Sequence, residues 1–134
     1  MTIDIRVTKS AATLSCVHKG QMMTKKVQAM YLESFEVAAI LQNLAKALAA
    51  VKADVPVTVT LVGNDYVNNL VKGTTYLRQN CRSNFKKPNG SDAYLAEHWR
   101  EVFKSDRART LLENNLLTFK HEYDNKKISN WTGD

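Results

Sequence analysis

Residues 34–62, SFEVAAILQNLAKALAAVKADVPVTVTLV, hold a helix and a strand in succession, and this pair decides the fold. Apolar residues recur at three- and four-residue steps from Ile40 to Val51, which predicts an amphipathic helix. The run Val57–Val62 after Pro56 is almost entirely β-branched and predicts a buried strand. A strand before this helix would complete a βαβ unit, and such a unit requires parallel strands.

The N-terminal segment supplies that preceding strand. Residues 3–7 alternate apolar with polar side chains, which is typical of a half-buried strand. Residues 14–18 repeat the alternation before the turn signal Lys19-Gly20, and residues 22–31 predict a third strand. Because the connections are short, these three strands are expected to form an antiparallel meander.

The second half of the chain predicts short helices and one more strand. Helices are expected near residues 66–72 and 74–80, then a loop over 81–90, a helix opening at Ser91-Asp92, and a strand over 116–123. The order βββαβαβ predicts an α/β fold with a mixed five-stranded sheet flanked by helices. Residues 1–124 are expected to be one domain, followed by a short tail, 125–134.

Composition favours a globular protein with an anionic partner. Of the 134 residues, 44% are hydrophobic and 24% charged, and no apolar run approaches the ~20 residues that span a bilayer. Cys16 and Cys81 fit no metal-binding spacing and are too few for a disulfide framework, so a reducing cytoplasm is expected, the host cytoplasm if the protein is viral. The lack of a long apolar run predicts no membrane association, and the net charge of +6 favours nucleic acid as the partner.

The positive charge is concentrated in one segment. No acidic residue lies between Asp65 and Asp92, while five cations do: Lys72, Arg78, Arg82, Lys86 and Lys87. Such a run can track a phosphate backbone, and Phe85 and Tyr76 within it are candidates for stacking on bases. The alternative is a solvated loop whose charge only maintains solubility.

Three segments in this order match a known pattern. Phe35-Glu-Val-Ala-Ala39 opens the long helix, Gly63-Asn-Asp-Tyr-Val67 follows the fourth strand, and the basic stretch 84–90 precedes Ser91-Asp-Ala-Tyr-Leu95. With these segments the chain resembles the type 1 ribonuclease H family over residues 2–124. That family has Met-Glu-Leu-x-Ala-Ala at the first place, Asp-Ser-x-Tyr-Val at the second, and a Lys- and Trp-rich handle before a helix opening near Asp-Leu-Trp. The resemblance implies a basic handle at about residues 72–90.

The resemblance also implies a two-metal centre that cleaves RNA in RNA–DNA hybrids with Mg²⁺ or Mn²⁺. Two such ions need carboxylates converging from several elements. Glu36 occupies the helix position of the family pattern, whereas Lys9 and Gly63 occupy the places of two carboxylates. Asp4 and Asp65 are the candidates that could replace them as metal ligands.

The last ligand is expected near the C-terminus. Asp124 or Glu122 are the candidates there, and His121 is interpreted as a strand residue rather than a proton shuttle. Glu36 itself has a second interpretation, as a first-turn glutamate that stabilises its helix.

Three functions remain open on the sequence. The first is a ribonuclease H-like domain that has lost or weakened its nuclease activity and binds nucleic acid or a nucleic-acid-handling protein, such as an accessory factor of a phage or mobile element. The second is an active magnesium-dependent ribonuclease H. The third is a protein-interaction or inhibitor module that binds no nucleic acid. The oligomeric state is left open.

Overall fold

The computed structural model describes residues 2–18, 21–28 and 36–124. The strands are β1 (Ile3–Val7), β2 (Ala11–His18), β3 (Gln21–Gln28), β4 (Val57–Gly63) and β5 (Leu117–Tyr123). The helices are α1 (Glu36–Ala49), α2 (Asp65–Lys72), a 3-10 turn (Gly73–Tyr76), α3 (Leu77–Arg82), α4 (Ala96–Val102) and α5 (Asp106–Glu113). The end of the third predicted strand, residues 29–31, and the predicted tail, 125–134, lie outside the described residues.

The strands form one mixed sheet in the order β3-β2-β1-β4-β5. β1, β2 and β3 pair antiparallel, and β4 pairs parallel with β1 on one side and with β5 on the other. Ile3 is opposite Val57, and Gly63 is opposite Tyr123. The prediction of a mixed α/β fold is therefore confirmed, with the meander and the helix-linked parallel strands where the sequence indicates them.

The core lies between the sheet and α1. Ile5, Val59 and Leu61 point from the sheet to the same side and are at most 1% exposed, as are Leu44 and Leu48 on α1. α1 is enclosed because α4 and α5 also pack against it. This position explains why the most strongly periodic helix of the sequence is also the most deeply buried one.

The opposite face of the sheet is polar. Asp4 and Arg6 are exposed on β1, next to Thr58 and Thr60 of β4. Arg6 reaches across β4 to both carboxylate oxygens of Glu122, with an Nη2–Oε1 distance of 2.9 Å. Side chains alternate between the faces of a strand, so polar residues at every second position leave this face to solvent.

One predicted helix boundary is wrong. The sequence indicates a helix opening at Ser91-Asp92, but α4 begins at Ala96. Asp92 is instead paired with Lys86 in an isolated β-bridge, and Leu95 adopts a left-handed backbone with φ 60° that interrupts any helix before it. Among the described residues no helix is long and apolar enough to cross a membrane.

Candidate nucleic-acid interface

The basic arm, residues 72–90, is a folded part of the domain. It comprises the last residue of α2, the 3-10 turn, α3 and a hairpin-like loop. In that loop Lys87 N donates to Ser91 O at 2.7 Å, and Gly90 N donates to Lys87 O at 2.9 Å. Gly90 has φ 88°, a left-handed conformation that a glycine adopts without strain. The loop is therefore closed on itself at its base.

Two of the five cations of the arm are paired with acids from outside it. Arg82 Nη2 lies 2.8 Å from Glu113 Oε2, at the end of α5. Lys86 Nζ lies 3.6 Å from Asp92 Oδ1, to which Arg100 Nη2 also binds at 2.6 Å. These contacts neutralise part of the charge that the sequence concentrates in the arm.

The pKa values of the two acids reflect this pairing. The hydrogen bond from Arg82 holds the pKa of Glu113 below its ordinary value of 4.5. Arg100, followed by Lys86, holds the pKa of Asp92 below 3.8. Both carboxylates therefore stay charged to lower pH than unpaired carboxylates would.

The remaining cations carry the unneutralised charge of the arm. Lys72, Arg78 and Lys87 form no ion pair with any residue in the described part of the chain. Lys72 and Lys87 are exposed, and Arg78 is half-buried. Arg78 interacts with Glu113 only at longer range, where it helps to lower the pKa of that carboxyl, so these three cations are the part of the arm that is suited to an anion.

A cavity of about 560 Å³, which we call the arm groove, lies between α3, the end of α5 and the start of β5. Its walls include Tyr76, Arg78, Gln79, Arg82 and Asn115. The ring of Tyr76 is 65% exposed, so a ligand can reach its face. The groove therefore combines guanidinium groups with an accessible aromatic ring, which is the combination that binds single nucleic-acid strands.

Phe85 does not have the role expected from the sequence. Its side chain is 2% exposed and packs beside Trp99 and Phe103, with ring centroids 6.5 and 6.2 Å away, in a cluster where those two rings are also 6.1 Å apart. An enclosed ring cannot stack on a base, so this prediction is wrong. Its position next to Lys86 and Lys87 is misleading, because backbone turns at Asn84 and Phe85 (φ 56° and 59°) direct the aromatic ring into the core.

An exposed aromatic residue that sequence reasoning missed is Tyr94. It is 70% exposed and stands between the basic loop and α4. A helix predicted from Ser91 onward includes Tyr94 and gives it no role of its own. The sequence does contain a signal for it, since Tyr94 is an aromatic residue only a few positions after the basic loop.

The candidate metal ligands do not all come to one place. Asp4 is opposite Thr58 near the start of β4, whereas Asp65 follows Gly63 at the end of that strand. The five residue steps from Thr58 to Gly63 span about 17 Å at ~3.3 Å per step, so the two carboxylates lie at opposite ends of the parallel strands. Lys9, in the place of a family carboxylate, is exposed beyond the end of β1.

Asp65 belongs to a small polar cluster at the end of β4 and β5. Tyr123 Oη donates to Asp65 Oδ1 at 2.9 Å, and Asn68 Nδ2 donates to Tyr123 Oη at 3.4 Å. The hydrogen bond to Asp65 raises the pKa of the Tyr123 hydroxyl above 10.0. His121 lies beside it, with its Nε2 3.0 Å from Gly63 O and its ring 4.3 Å from that of Tyr123.

The other candidates do not complete a metal centre among the described residues. Glu122 is held by Arg6, Asp124 directly follows β5, and Glu36 is the first residue of α1, with a side chain outside the described part. Within the described ranges no group of three or more histidine, cysteine, aspartate or glutamate side chains could hold a metal ion. The donors that are described therefore do not fit a two-magnesium centre.

Comparison with known proteins gives structural likenesses only. No protein-family model and no curated protein matches the chain. Among solved structures it is similar to a foamy viral protease-reverse transcriptase in complex with an RNA/DNA hybrid, with 13% identity, a TM-score of 0.46, and coverage of 96% of this chain and 18% of that one. A second structure, of the foamy viral protease-reverse transcriptase in complex with dsDNA, has 12% identity, a TM-score of 0.42, and coverage of 97% and 85%. The fold class of this chain therefore rests on its own mixed sheet and the order of its helices.

Proposed function

We propose that this chain is a ribonuclease H-like domain that binds nucleic acid through its basic arm and does not cleave it. The observation that carries the proposal is the arm groove, where Arg78, Arg82 and the exposed ring of Tyr76 line one cavity. The unpaired charges of Lys72 and Lys87 belong to the same arm. Guanidinium and ammonium groups bind phosphate oxygens, and an exposed ring stacks on any base.

The sheet supports the ribonuclease H-like part of the proposal. The order of elements is a three-strand meander, a long helix, a parallel strand, short helices with the basic arm, and a last parallel strand. This is the order that the resemblance in sequence implies. In chain order the arm lies between β4 and α4, which is where the resemblance in sequence implies the family's substrate-binding handle.

Binding by this surface is expected to be independent of sequence and sensitive to salt. Each phosphate neutralised on a single strand contributes about −0.7 to the slope of log K against log salt. The three unpaired cations, Lys72, Arg78 and Lys87, therefore contribute about −2 in total if each contacts one phosphate. Between 50 and 200 mM salt this contribution alone lowers the affinity roughly 20-fold.

The positions of the carboxylates support binding without cleavage. Two-metal catalysis needs ligands that place the ions about 3.5–4 Å apart. Asp4 and Asp65 lie at opposite ends of β1 and β4, and Glu122 is engaged by Arg6 on the polar face of the sheet. For Glu36, the first residue of α1, we propose the structural interpretation, because a negative charge in the first turn stabilises a helix.

The binding test compares two triple variants of equal charge. Lys72, Arg78 and Lys87 are changed to alanine in one, and the exposed Lys9, Lys52 and Lys104 in the other. Fluorescence anisotropy measures the affinity for a labelled RNA–DNA hybrid, a DNA duplex and a single strand from 50 to 200 mM salt. The arm variant is expected to lose at least tenfold in affinity at 50 mM and to have a salt slope smaller by about 2.

Two results would overturn the binding proposal. If the control variant loses as much affinity as the arm variant, the binding is a general effect of net charge. If the unmodified protein binds none of the three nucleic acids at 50 mM salt, the protein-interaction alternative replaces the proposal.

A nuclease assay tests the second half of the proposal. The protein is incubated with a labelled RNA–DNA hybrid and Mg²⁺ or Mn²⁺, and the hybrid is expected to stay intact. Cleavage that disappears in the Glu36→Gln variant would show an active ribonuclease H and refute the loss of activity.

A further inference from the structure

A second cavity lies on the other side of α3 from the arm groove. It has a volume of about 160 Å³, and we call it the Tyr94 pocket. Buried side chains close its inner wall, namely Leu70, Leu77, Phe85 and Trp99. Tyr94 lies at its rim, together with Asn69 of α2 and Asn80 of α3. Since Leu77 lines both cavities, the pocket and the groove are on two sides of the same short helix.

We propose that the Tyr94 pocket receives one unpaired base of a single-stranded nucleic acid, with Tyr94 stacking on the base and Asn69 and Asn80 bonding to its polar edge. This inference rests on the proposed nucleic-acid binding and adds the form of nucleic acid, a single strand. Leu77, Asn80 and Phe85 of the pocket belong to the basic arm, whose cations are the groups available for phosphate contacts.

Tyr94 presents its ring from a fixed backbone. Ala93 N donates to Phe85 O at 2.8 Å, and Leu95 after it is held at φ 60°. The ring is nevertheless 70% exposed, which is the greatest exposure among the large hydrophobic side chains of the described residues. A large apolar ring on an ordered segment loses little conformational entropy when a base stacks on it.

The two asparagines provide polar groups that nothing else uses. Neither side-chain amide of Asn69 or Asn80 makes a hydrogen bond within the described part of the chain. Each amide carries both donors and an acceptor, and a base edge presents the same two kinds of group. The pocket thus offers hydrogen bonds at its rim and an aromatic wall inside.

The backbone around the pocket is strained. Asn84, Phe85 and Leu95 all have left-handed φ angles, of 56°, 59° and 60°. Such conformations in residues other than glycine cost free energy and persist only when the surrounding packing holds them. Here the packing of Phe85 against Trp99 and Phe103 holds the loop, and Tyr94 lies in the exposed turn that follows it.

The size of the pocket decides between paired and unpaired bases. Its volume of about 160 Å³ is below the roughly 300–1,000 Å³ of a typical small-molecule pocket, which favours a single ring over a base pair as the occupant. A base within a duplex has its Watson–Crick edge paired and both faces stacked, so only an unpaired base can offer a free face to Tyr94 and that edge to Asn69 and Asn80.

The test uses tyrosine variants and three nucleic acids of equal length. Tyr94→Ala removes the ring, Tyr94→Phe keeps it, and Tyr66→Ala is the matched control, because Tyr66 is 66% exposed and lines neither cavity. Anisotropy measures binding of 12-mers of oligo-dT, oligo-U and an RNA–DNA hybrid. Tyr94→Ala is expected to weaken binding of the single strands about tenfold, equivalent to ~1.4 kcal/mol, and to change hybrid binding less than twofold.

A second measurement reports the base itself. An oligonucleotide with one 2-aminopurine loses fluorescence when that base stacks on an aromatic ring. Quenching is expected with the unmodified protein and with Tyr94→Phe, and little quenching with Tyr94→Ala. The comparison of oligo-dT with oligo-U shows whether the strand is DNA or RNA.

The outcomes separate this inference from the proposed function. If Tyr94→Ala and Tyr66→Ala bind single strands equally well while Lys72, Arg78 and Lys87 still matter, the pocket does not take a base and the proposed function stands. Equal losses on the hybrid and on single strands would also overturn the preference for an unpaired base. If no nucleic acid binds at all, both proposals fail.

Discussion

Replacement of Phe85 by alanine is expected to destabilise the fold and not to act through nucleic-acid binding directly. The side chain is 2% exposed and packs parallel to Trp99 and Phe103, with interplanar angles of 9° and 15°. Removing a buried phenylalanine typically costs about 3–5 kcal/mol. This range already includes the lost ring contacts, such as the two aromatic pairs of Phe85, so a loss of about 4 kcal/mol is expected.

A loss of this size is a large part of the 5–15 kcal/mol that stabilises a typical domain. It should lower Tm by roughly 15 °C for a chain of this length. Urea unfolding followed by far-UV circular dichroism gives the free energy of unfolding, and Tyr76→Ala is the control, since its ring is 65% exposed and its removal should cost less than about 0.5 kcal/mol.

The left-handed backbone of Phe85 adds an internal check. At φ 59° alanine keeps the strain of the native residue, whereas glycine has none. Phe85→Gly should therefore be no less stable than Phe85→Ala, the reverse of what is found at ordinary positions. A loss of stability below about 1 kcal/mol for Phe85→Ala, together with weaker nucleic-acid binding, would refute the reasoning and would indicate that Phe85 is an exposed stacking residue.

Three further substitutions test local features of the structure. Ser105→Ala removes the side chain that caps α5 and should cost about 1 kcal/mol in urea unfolding; no loss would show that the cap is dispensable. Asp65 raises the pKa of Tyr123, so Asp65→Asn should lower that pKa, and absorbance at 295 nm measures the titration of the tyrosine. In the unmodified protein the pair stabilises the fold below pH 10.0, and this contribution is lost as pH rises through the raised pKa. Arg100 lowers the pKa of Asp92, so Asp92 contributes to stability above pH 3.8 and this contribution is lost as pH falls. Asp92→Asn should therefore make Tm fall less steeply below pH 3.8, and an unchanged dependence of Tm on acid pH would contradict this prediction.

Prediction from the sequence succeeds where a pattern is local. The periodicity of residues 40–51 indicates α1, and the alternation of residues 3–7 indicates β1, because backbone geometry alone sets these periods. The mixed pairing follows from the length of the connections. The acid-free stretch from Asp65 to Asp92 is likewise visible without coordinates.

The candidate site is predicted only in part. The arm is where the charges indicate it, but Arg82 and Lys86 are paired with Glu113 and Asp92, which chain order alone does not bring together. The arm groove and the Tyr94 pocket arise where α3 meets β5 and α2, which are separate segments of the chain. The periodicity of apolar residues along the sequence does not predict such contacts.

The sequence by itself determined the class of fold, the order of strands and helices, and the concentration of positive charge between Asp65 and Asp92. Tertiary structure decided which of these charges remain unneutralised, that Phe85 is buried while Tyr94 is exposed, and that Asp4 and Asp65 lie at opposite ends of the parallel strands. The physical reason is range: propensity and periodicity act within a few residues, whereas burial, ion pairing and strand register depend on residues that only folding brings together.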